Sequence, residues 1–212
     1  MGLIVRIACK LRRDEEVPNV ELALELSETV DVAGIAEIAG HLSDRDRAVR
    51  SDCIKVLYEI GYRNPDLIAP YVEEFLALLS DKQNRLVWGG MTALSTIAPR
   101  AADILFPRVD EIVAAMHGGS VITVDHAVKT LAGIASTSSD RNLILFPVLL
   151  DHLRNCRAKE VPQHAESTFV AVTAGNRAAF IATLRAREEE FTPPQAVRIR
   201  RLIKGANPDC VN

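Results

Sequence analysis

Val49-Arg50-Ser51-Asp52-Cys53-Ile54-Lys55-Val56-Leu57-Tyr58-Glu59-Ile60-Gly61 places apolar or small residues at positions 49, 53, 56, 57 and 60, the spacing of one face of an α-helix. The same face recurs as Leu86, Gly90, Ala93, Leu94 and Ile97, then with Ala127, Leu131 and Ile134, then with Val161, Ala165, Phe169 and Val172. From Leu57 to Leu94 to Leu131 to Phe169 the steps are 37, 37 and 38 residues. So regular a step marks a repeat protein, in which each copy of one supersecondary unit keeps its length.

Each of these helices follows a second amphipathic segment. Asp66-Leu67-Ile68-Ala69-Pro70, Asp103-Ile104-Leu105-Phe106-Pro107 and Asn142-Leu143-Ile144-Leu145-Phe146-Pro147 each read as a polar cap, apolar residues and a proline near a helix start. Proline is tolerated there because a first-turn amide has no intrahelical acceptor to lose. The spacing predicts outer helices over Tyr71 to Leu79, Arg108 to Met116 and Val148 to Leu153. Polar links such as Ser43 to Asp46, Ser80 to Asn84 and His117 to Ser120 are short enough to force antiparallel neighbours. The unit is thus a helical hairpin too small to hide its own apolar face, and it must stack on its copies. Upstream, Val32 to Leu42 reads as the outer partner of Arg47 to Ile60, and Gly2 to Arg12 with Val20 to Leu26 as a degenerate first pair. Val20 to Leu26 also alternates as a strand would. Downstream, Arg177 to Glu190 with Pro194 to Ile203 reads as the last pair.

Val49-Arg50, Cys53, Val56-Leu57 and Ile60-Gly61 after Asp46 resemble the inner-helix consensus of HEAT repeats, and Pro70, Pro107 and Pro147 resemble the prolines of the outer HEAT helix. The arginine of that pattern reads Arg50, then Val87, Val124 and Pro162, so a stacked arginine ladder is not expected after the first copy. The resemblance implies an all-α fold, a right-handed α-α superhelix (α-solenoid) of about six HEAT-like hairpins, as one repeat domain over 1–212. Clear repeats cover 32–175, and degenerate capping repeats cover 1–31 and 176–212.

Composition agrees with a globular array: 48% of the 212 residues are hydrophobic, 25% charged and 5% aromatic, and inner helices that approach closely need small or aliphatic side chains. No apolar run nears the roughly 18 residues of a membrane span, and no secretory leader is read in Met1 to Arg13. Cys9, Cys53, Cys156 and Cys210 lie far apart, which suits reduced thiols in a cytoplasmic protein. The net charge of -3 hides an uneven layout: Arg6, Lys10, Arg12 and Arg13 precede an acidic stretch over 14–29, and Arg198, Arg200, Arg201 and Lys204 crowd the last helix. A basic end could touch nucleic acid, but the arginines equally complement the helix dipole and keep a terminal repeat in water.

Phosphate loops, GxSxG elbows, HExxH and Walker lysines are missing, so no catalytic residue is assigned and no cofactor is expected. His152 and Cys156, one turn apart, with His164 form the sharpest metal candidate; the reading preferred from sequence places the first two toward solvent or the link and His164 apart on another helix, with no metal. Registering the repeats on Leu57 aligns Lys55, Thr92, Lys129 and Ser167 in one column, Asp52, Gly89, His126 and His164 in a second, and Ser51, Trp88, Asp125 and Gln163 in a third. Mixed charge, two histidines and the only tryptophan make a candidate partner-binding surface of Asp52, Lys55, Trp88, Thr92, His126, Lys129, His164 and Ser167. The bland alternative packs Trp88 against the next repeat and leaves the others as a solvated face. The function expected is a non-catalytic scaffold binding a protein or peptide along its inner helices. Nucleic-acid binding of the HEAT-like DNA glycosylase type, and a HEAT-like bilin lyase, are the alternatives, and a membrane partner is not expected.

Overall fold

Helices make up the regular structure of residues 2–207, which the computed structural model describes; Cys210 and the last residues of the 1–212 repeat domain lie outside the described residues. The chain divides into one packed unit ending at Thr130 and another beginning at Leu131. In the first, α1 (Val17–Thr29), α2 (Val32–Gly40), α3 (Arg47–Arg63), α4 (Val72–Leu78), α5 (Asn84–Ile97), α6 (Ala102–Leu105) and α7 (Val109–Gly118) lead into α8 (Val121–Ala135), within which the division falls. Helix α3 packs between α1 and α5 and also meets α2, while α4 lies on α5. The second unit continues with α9 (Ser139–Asn155), α10 (Val161–Thr168), α11 (Arg177–Arg185) and α12 (Pro193–Ala206). There α9 packs on α10 and α11, and both of these meet α12.

The period found in sequence is the period of burial as far as Ala165; Phe169 and Val172, expected on the same helical face, lie beyond the end of α10 and are half-buried. Val56, Leu57, Ile60, Leu86, Ala93, Leu94 and Ile97 have no exposed surface, and neither do Ala127, Leu131, Ile134, Val161 and Ala165. Each fully buried leucine or isoleucine contributes about 1.5–3 kcal/mol relative to its exposed state. Close approach explains the glycines of α5: a methyl added at Gly90 would stand 2.9 Å from the backbone oxygen of Phe75 and 2.9 Å from Cβ of Leu78 on α4. Helix starts are fixed by side chains. Asp31 accepts from the Gly34 amide and Asp46 from the Ala48 amide, both at 2.9 Å, and Thr192 with Gln195 forms a capping box on α12.

Four expectations need correction. Gly2 to Arg12 is no helix: a 3-10 turn over Leu3–Arg6 is followed by irregular turns. The Ala8 amide is taken by Asn19 Oδ1 at 2.9 Å and the Cys9 amide by Asp52 Oδ2 at 2.7 Å, so side chains from other helices capture donors a helix would have used. The expected partner of that segment, Val20 to Leu26, is by contrast the helix that the pairing predicts and not the strand its alternation would allow; Leu22, Ala23 and Leu26 line its buried face on α3. Pro147 does not open a helix but sits inside α9, which Ser138 caps nine residues before the proline. A proline inside a helix costs about 3 kcal/mol, and the buried face of Leu145, Phe146, Leu149, Leu150 and Leu153 offsets it. Asn142, read as a cap, is buried instead and donates to the carbonyls of Ala135 (3.3 Å) and Ala171 (2.8 Å). Lastly, the helix expected over Arg177 to Glu190 ends at Arg185, and Glu188–Glu190 forms a 3-10 turn. The other two prolines, Pro70 and Pro107, lie in 3-10 turns just before α4 and α7, as their sequence context predicts. Arg50, the single arginine of its column, donates to the Leu42 carbonyl at 2.8 Å and pairs with Asp81 at 2.5 Å, joining the links of successive hairpins.

Candidate functional site

Two of the aligned inner-helix residues of the first unit are fastened inward. Asp52 is 8% exposed, and its carboxylate accepts from the Cys9 amide and from Asn19 Nδ2 at 2.9 Å. Asn19 is wholly buried and accepts the Ala8 amide in turn, so this network ties the N-terminal turns to α1 and α3. Thr92 is 2% exposed, and its hydroxyl donates to the Trp88 carbonyl at 2.7 Å within α5.

Lys55 heads a different cluster. Its ammonium pairs with Glu59 at 2.7 Å and Glu16 at 3.2 Å and lies 4.8 Å from the centroid of the Tyr58 ring. Arg85 also reaches Glu16, and Arg63 pairs with Glu59 at 2.9 Å. Burial pushes the carboxyls of Glu16 and Glu59 up, but hydrogen bonds from Arg85 and Lys55 to the first, and from Lys55 and Arg63 to the second, hold both below the usual carboxylate range. Burial raises the Tyr58 hydroxyl, against the pull of Lys55. Trp88 joins this cluster half-buried: its ring centroid is 6.0 Å from that of Tyr58, and the Arg85 guanidinium stands 5.5 Å over the indole. Tyr58 in turn meets Tyr62 edge-on at 6.1 Å, and Tyr62 is 54% exposed. The indole thus packs on one side and stays open on another. The tyrosines and the arginine that frame it are not part of the aligned columns; Tyr62 falls one residue beyond the quoted stretch, Arg85 lies one turn before Trp88 on α5, and only the fold brings Glu16 to them.

On α8, Lys129 is exposed and His126 is half-buried, with Nδ1 2.8 Å from Ser95 Oγ. The Ser95 hydroxyl spends its one proton on the Thr92 carbonyl at 2.7 Å, so His126 Nδ1 is the donor to Ser95. Burial, helped by the Lys129 charge, pushes the His126 imidazole down to about 4, which keeps it neutral at physiological pH.

The remaining two aligned residues belong to the second unit. Ser167 is half-buried and donates to the Gln163 carbonyl at 3.0 Å. His164 is wholly buried, with Nδ1 2.9 Å from Nε2 of His152 on α9. The sequence reading set these two histidines apart; α9 and α10 instead bring them together, with ring centroids 4.8 Å apart, and Cys156 closes the group. Arg187 donates to the carbonyls of Leu153 (2.8 Å) and Cys156 (2.7 Å), fixing the turn that carries Cys156. Cys9, Cys53 and Cys156 are free thiols.

Several basic residues near the ends are paired within the chain. Arg6 forms two hydrogen bonds with Glu25, Lys10 lies 3.8 Å from Asp46, and Arg198 binds Glu166 through 2.9 and 2.6 Å contacts.

No family model and no curated protein sequence matches the chain. Solved structures match its fold. A designed armadillo repeat protein covers 90% of this chain, and 92% of its own length is covered, at 12% identity and a TM-score of 0.68. A second designed armadillo repeat protein, solved in complex with the peptide (KR)4, superimposes at a TM-score of 0.70 and 13% identity over 89% of this chain and 90% of its own. Kap121p bound to Nup53p matches 92% of this chain through 22% of its own length, at 17% identity and a TM-score of 0.62. The fold is an all-α solenoid of the armadillo/HEAT type. No helix among the described residues is long and apolar enough to cross a membrane.

Proposed function

We propose that the chain is a non-catalytic interaction module that holds an extended segment of a partner protein along its inner helices, with Trp88 as the anchor. The observation that carries this reading is the half-open indole of Trp88, backed by Tyr58, covered by Arg85 and bordered by the exposed Tyr62 and by the Glu16, Lys55 and Glu59 ion pairs. Trp, Tyr and Arg are enriched at binding hot spots, and the rim around such a core is polar. Glu16 and Glu59 stay ionised at neutral pH and can meet basic side chains of the partner, while the exposed Lys129 offers the opposite sign. Armadillo/HEAT-type relatives in fold include one holding the peptide (KR)4 and Kap121p bound to Nup53p and to Pho4p, which supports a protein or peptide partner here. The polar atoms of Asp52 and Thr92 are already engaged within the chain and are left out of this surface.

Trp88 is the chain's only tryptophan, so its emission reports directly on the surface. Peptides selected against the folded chain from a random extended-peptide library should shift that emission on binding. They should lose about 30-fold in affinity to Trp88→Ala, the size of a hot-spot truncation of about 2 kcal/mol. Peptides that bind Trp88→Ala as well as the parent, with parental emission unchanged, overturn the assignment.

A further inference from the structure

We propose that His152, Cys156 and His164 form a binding site for a borderline-soft divalent metal ion of the zinc class. The three donors come from two elements at one place: His152 in the last turn of α9, Cys156 at its C-terminal cap four residues on, and His164 from the middle of α10. Their ligating atoms all lie within 4.8 Å of one another, and His152 Nε2 and His164 Nδ1 are already 2.9 Å apart. Zinc bound at about 2.0–2.1 Å to nitrogen and about 2.3 Å to sulfur in a tetrahedral arrangement holds its donor atoms about 3.3–3.8 Å apart. The spacing in the protein brackets that range, so small ring and thiol rotations seat the ion without moving either helix.

The surroundings hold the donors in place. The Cys156 amide bonds to the His152 carbonyl at 2.8 Å, locking the turn that presents imidazole and thiol on one side. Arg187 clamps the Leu153 and Cys156 carbonyls, and its Nη1 lies 3.9 Å from Cys156 Sγ. Glu190 binds the same guanidinium through two contacts of 2.9 and 2.6 Å, so the positive charge beside the site is balanced. Outer groups that fix the orientation of a ligand in this way are a regular part of metal sites. His164 is wholly enclosed while His152 and Cys156 are half-buried, which leaves an approach from solvent.

The protons balance. In the metal-free state one of the two facing ring nitrogens carries a proton that the other accepts. On binding, that ring shifts its proton to its other nitrogen, so both facing nitrogens present lone pairs, and the Cys156 thiol releases one proton to solvent as its sulfur bonds the ion. Two neutral imidazoles and one thiolate with a divalent ion leave a net charge of +1 on the metal and its three ligands, and two thiolates would be needed to neutralise it. The site therefore suits an ion that keeps a polarised water.

Cobalt(II) is the probe. The full-length chain is treated with reductant and chelator, desalted, and titrated with cobalt(II). A tetrahedral thiolate site gives a near-ultraviolet sulfur-to-cobalt charge-transfer band and intense visible d–d bands that saturate at a single equivalent and vanish when zinc is added. Cys156→Ser should abolish the charge-transfer band while keeping the far-ultraviolet helical signal, and His152→Asn should weaken cobalt binding at least tenfold. His164→Ala removes a buried ring and can unfold the second unit, so the decision rests on the parent, Cys156→Ser and His152→Asn. A parent that gives only the weak octahedral spectrum of loosely held cobalt overturns the site, as does a charge-transfer band that survives Cys156→Ser or an affinity indifferent to His152→Asn.

Discussion

Asp52 shows how a residue on a repeat ladder can be structural. Its two oxygens satisfy the Cys9 amide and Asn19 Nδ2, and Asn19 satisfies the Ala8 amide, so one carboxylate organises a segment that has no helix of its own. Removing it orphans two buried donors. Asp52→Ala should cost about 2–4 kcal/mol, and Asp52→Asn about half of that, because an amide oxygen can still serve one donor; urea denaturation followed by circular dichroism measures both. An Asp52→Ala protein as stable as the parent removes the network from the account of the fold. His126 carries a second prediction at this scale. Its folded pKa of about 4 lies below the ordinary 6.5, so between those values the unfolded chain binds more protons than the folded one. Stability contributed by neutral His126 is complete above about pH 6.5 and is lost as pH falls toward 4, on the order of 2–3 kcal/mol in all. Denaturation midpoints at pH 7 and pH 4.5 should diverge more for the parent than for His126→Gln. Equal slopes would place the ring in open solvent.

Among elements, α4, α5 and α7 separate two meanings of glycine in a helix. Replacing helical glycine with alanine gains about 0.5–1 kcal/mol where there is room. At Gly118, the last residue of α7, no heavy atom lies within 4 Å of the added methyl, so Gly118→Ala should raise stability by about that amount. At Gly90 the methyl meets the Phe75 backbone oxygen at 2.9 Å, which cannot rotate away, and Gly90→Ala should instead cost about 1–3 kcal/mol. Thermal melts of the two variants should move in opposite directions. The repeat that places Gly90 was legible in the sequence because apolar spacing within a hairpin is local information: Leu57, Leu94 and Leu131 are all wholly buried. Three things were not local. The N-terminal turns depend on side chains from α1 and α3. The helix through Pro147 depends on a cap at Ser138 and a buried Asn142 that only the packed second unit explains. His152 and His164, twelve residues apart on different helices, face each other because of the way α9 packs on α10, and no spacing rule within one helix could show that. The candidate binding surface was half legible: the columns pointed to Trp88 and Lys55, whereas Arg85, Tyr62 and Glu16, which give the indole its setting, come from outside them.

Over the whole molecule, the charge layout bears on how a nucleic acid could be held. The sequence carries 25 Lys+Arg against 28 Asp+Glu, and its basic clusters could in principle each form a phosphate-binding patch. In the folded chain Arg6 is spent on Glu25, Arg50 on Asp81, Arg85 on Glu16, Arg187 on Glu190 and Arg198 on Glu166. A phosphate approaching any of these must compete with a carboxylate that is already ionised and, in several cases, held below its usual pKa by that same arginine. A duplex phosphate that engages one of these arginines must therefore displace its carboxylate partner, and on the inner helices Lys55 is paired while Lys129 stands beside a neutral imidazole. A protein making six to ten phosphate contacts loses about 1,000- to 100,000-fold in affinity between 50 and 200 mM salt. Fluorescence anisotropy with a labelled duplex should show weak binding at 50 mM salt, with a slope corresponding to about one or two phosphates, and peptide binding at the Trp88 surface should persist at 200 mM because a buried aromatic anchor is not screened. Tight duplex binding with a steep salt slope would move the chain to the nucleic-acid class and force a different surface from the one around Trp88.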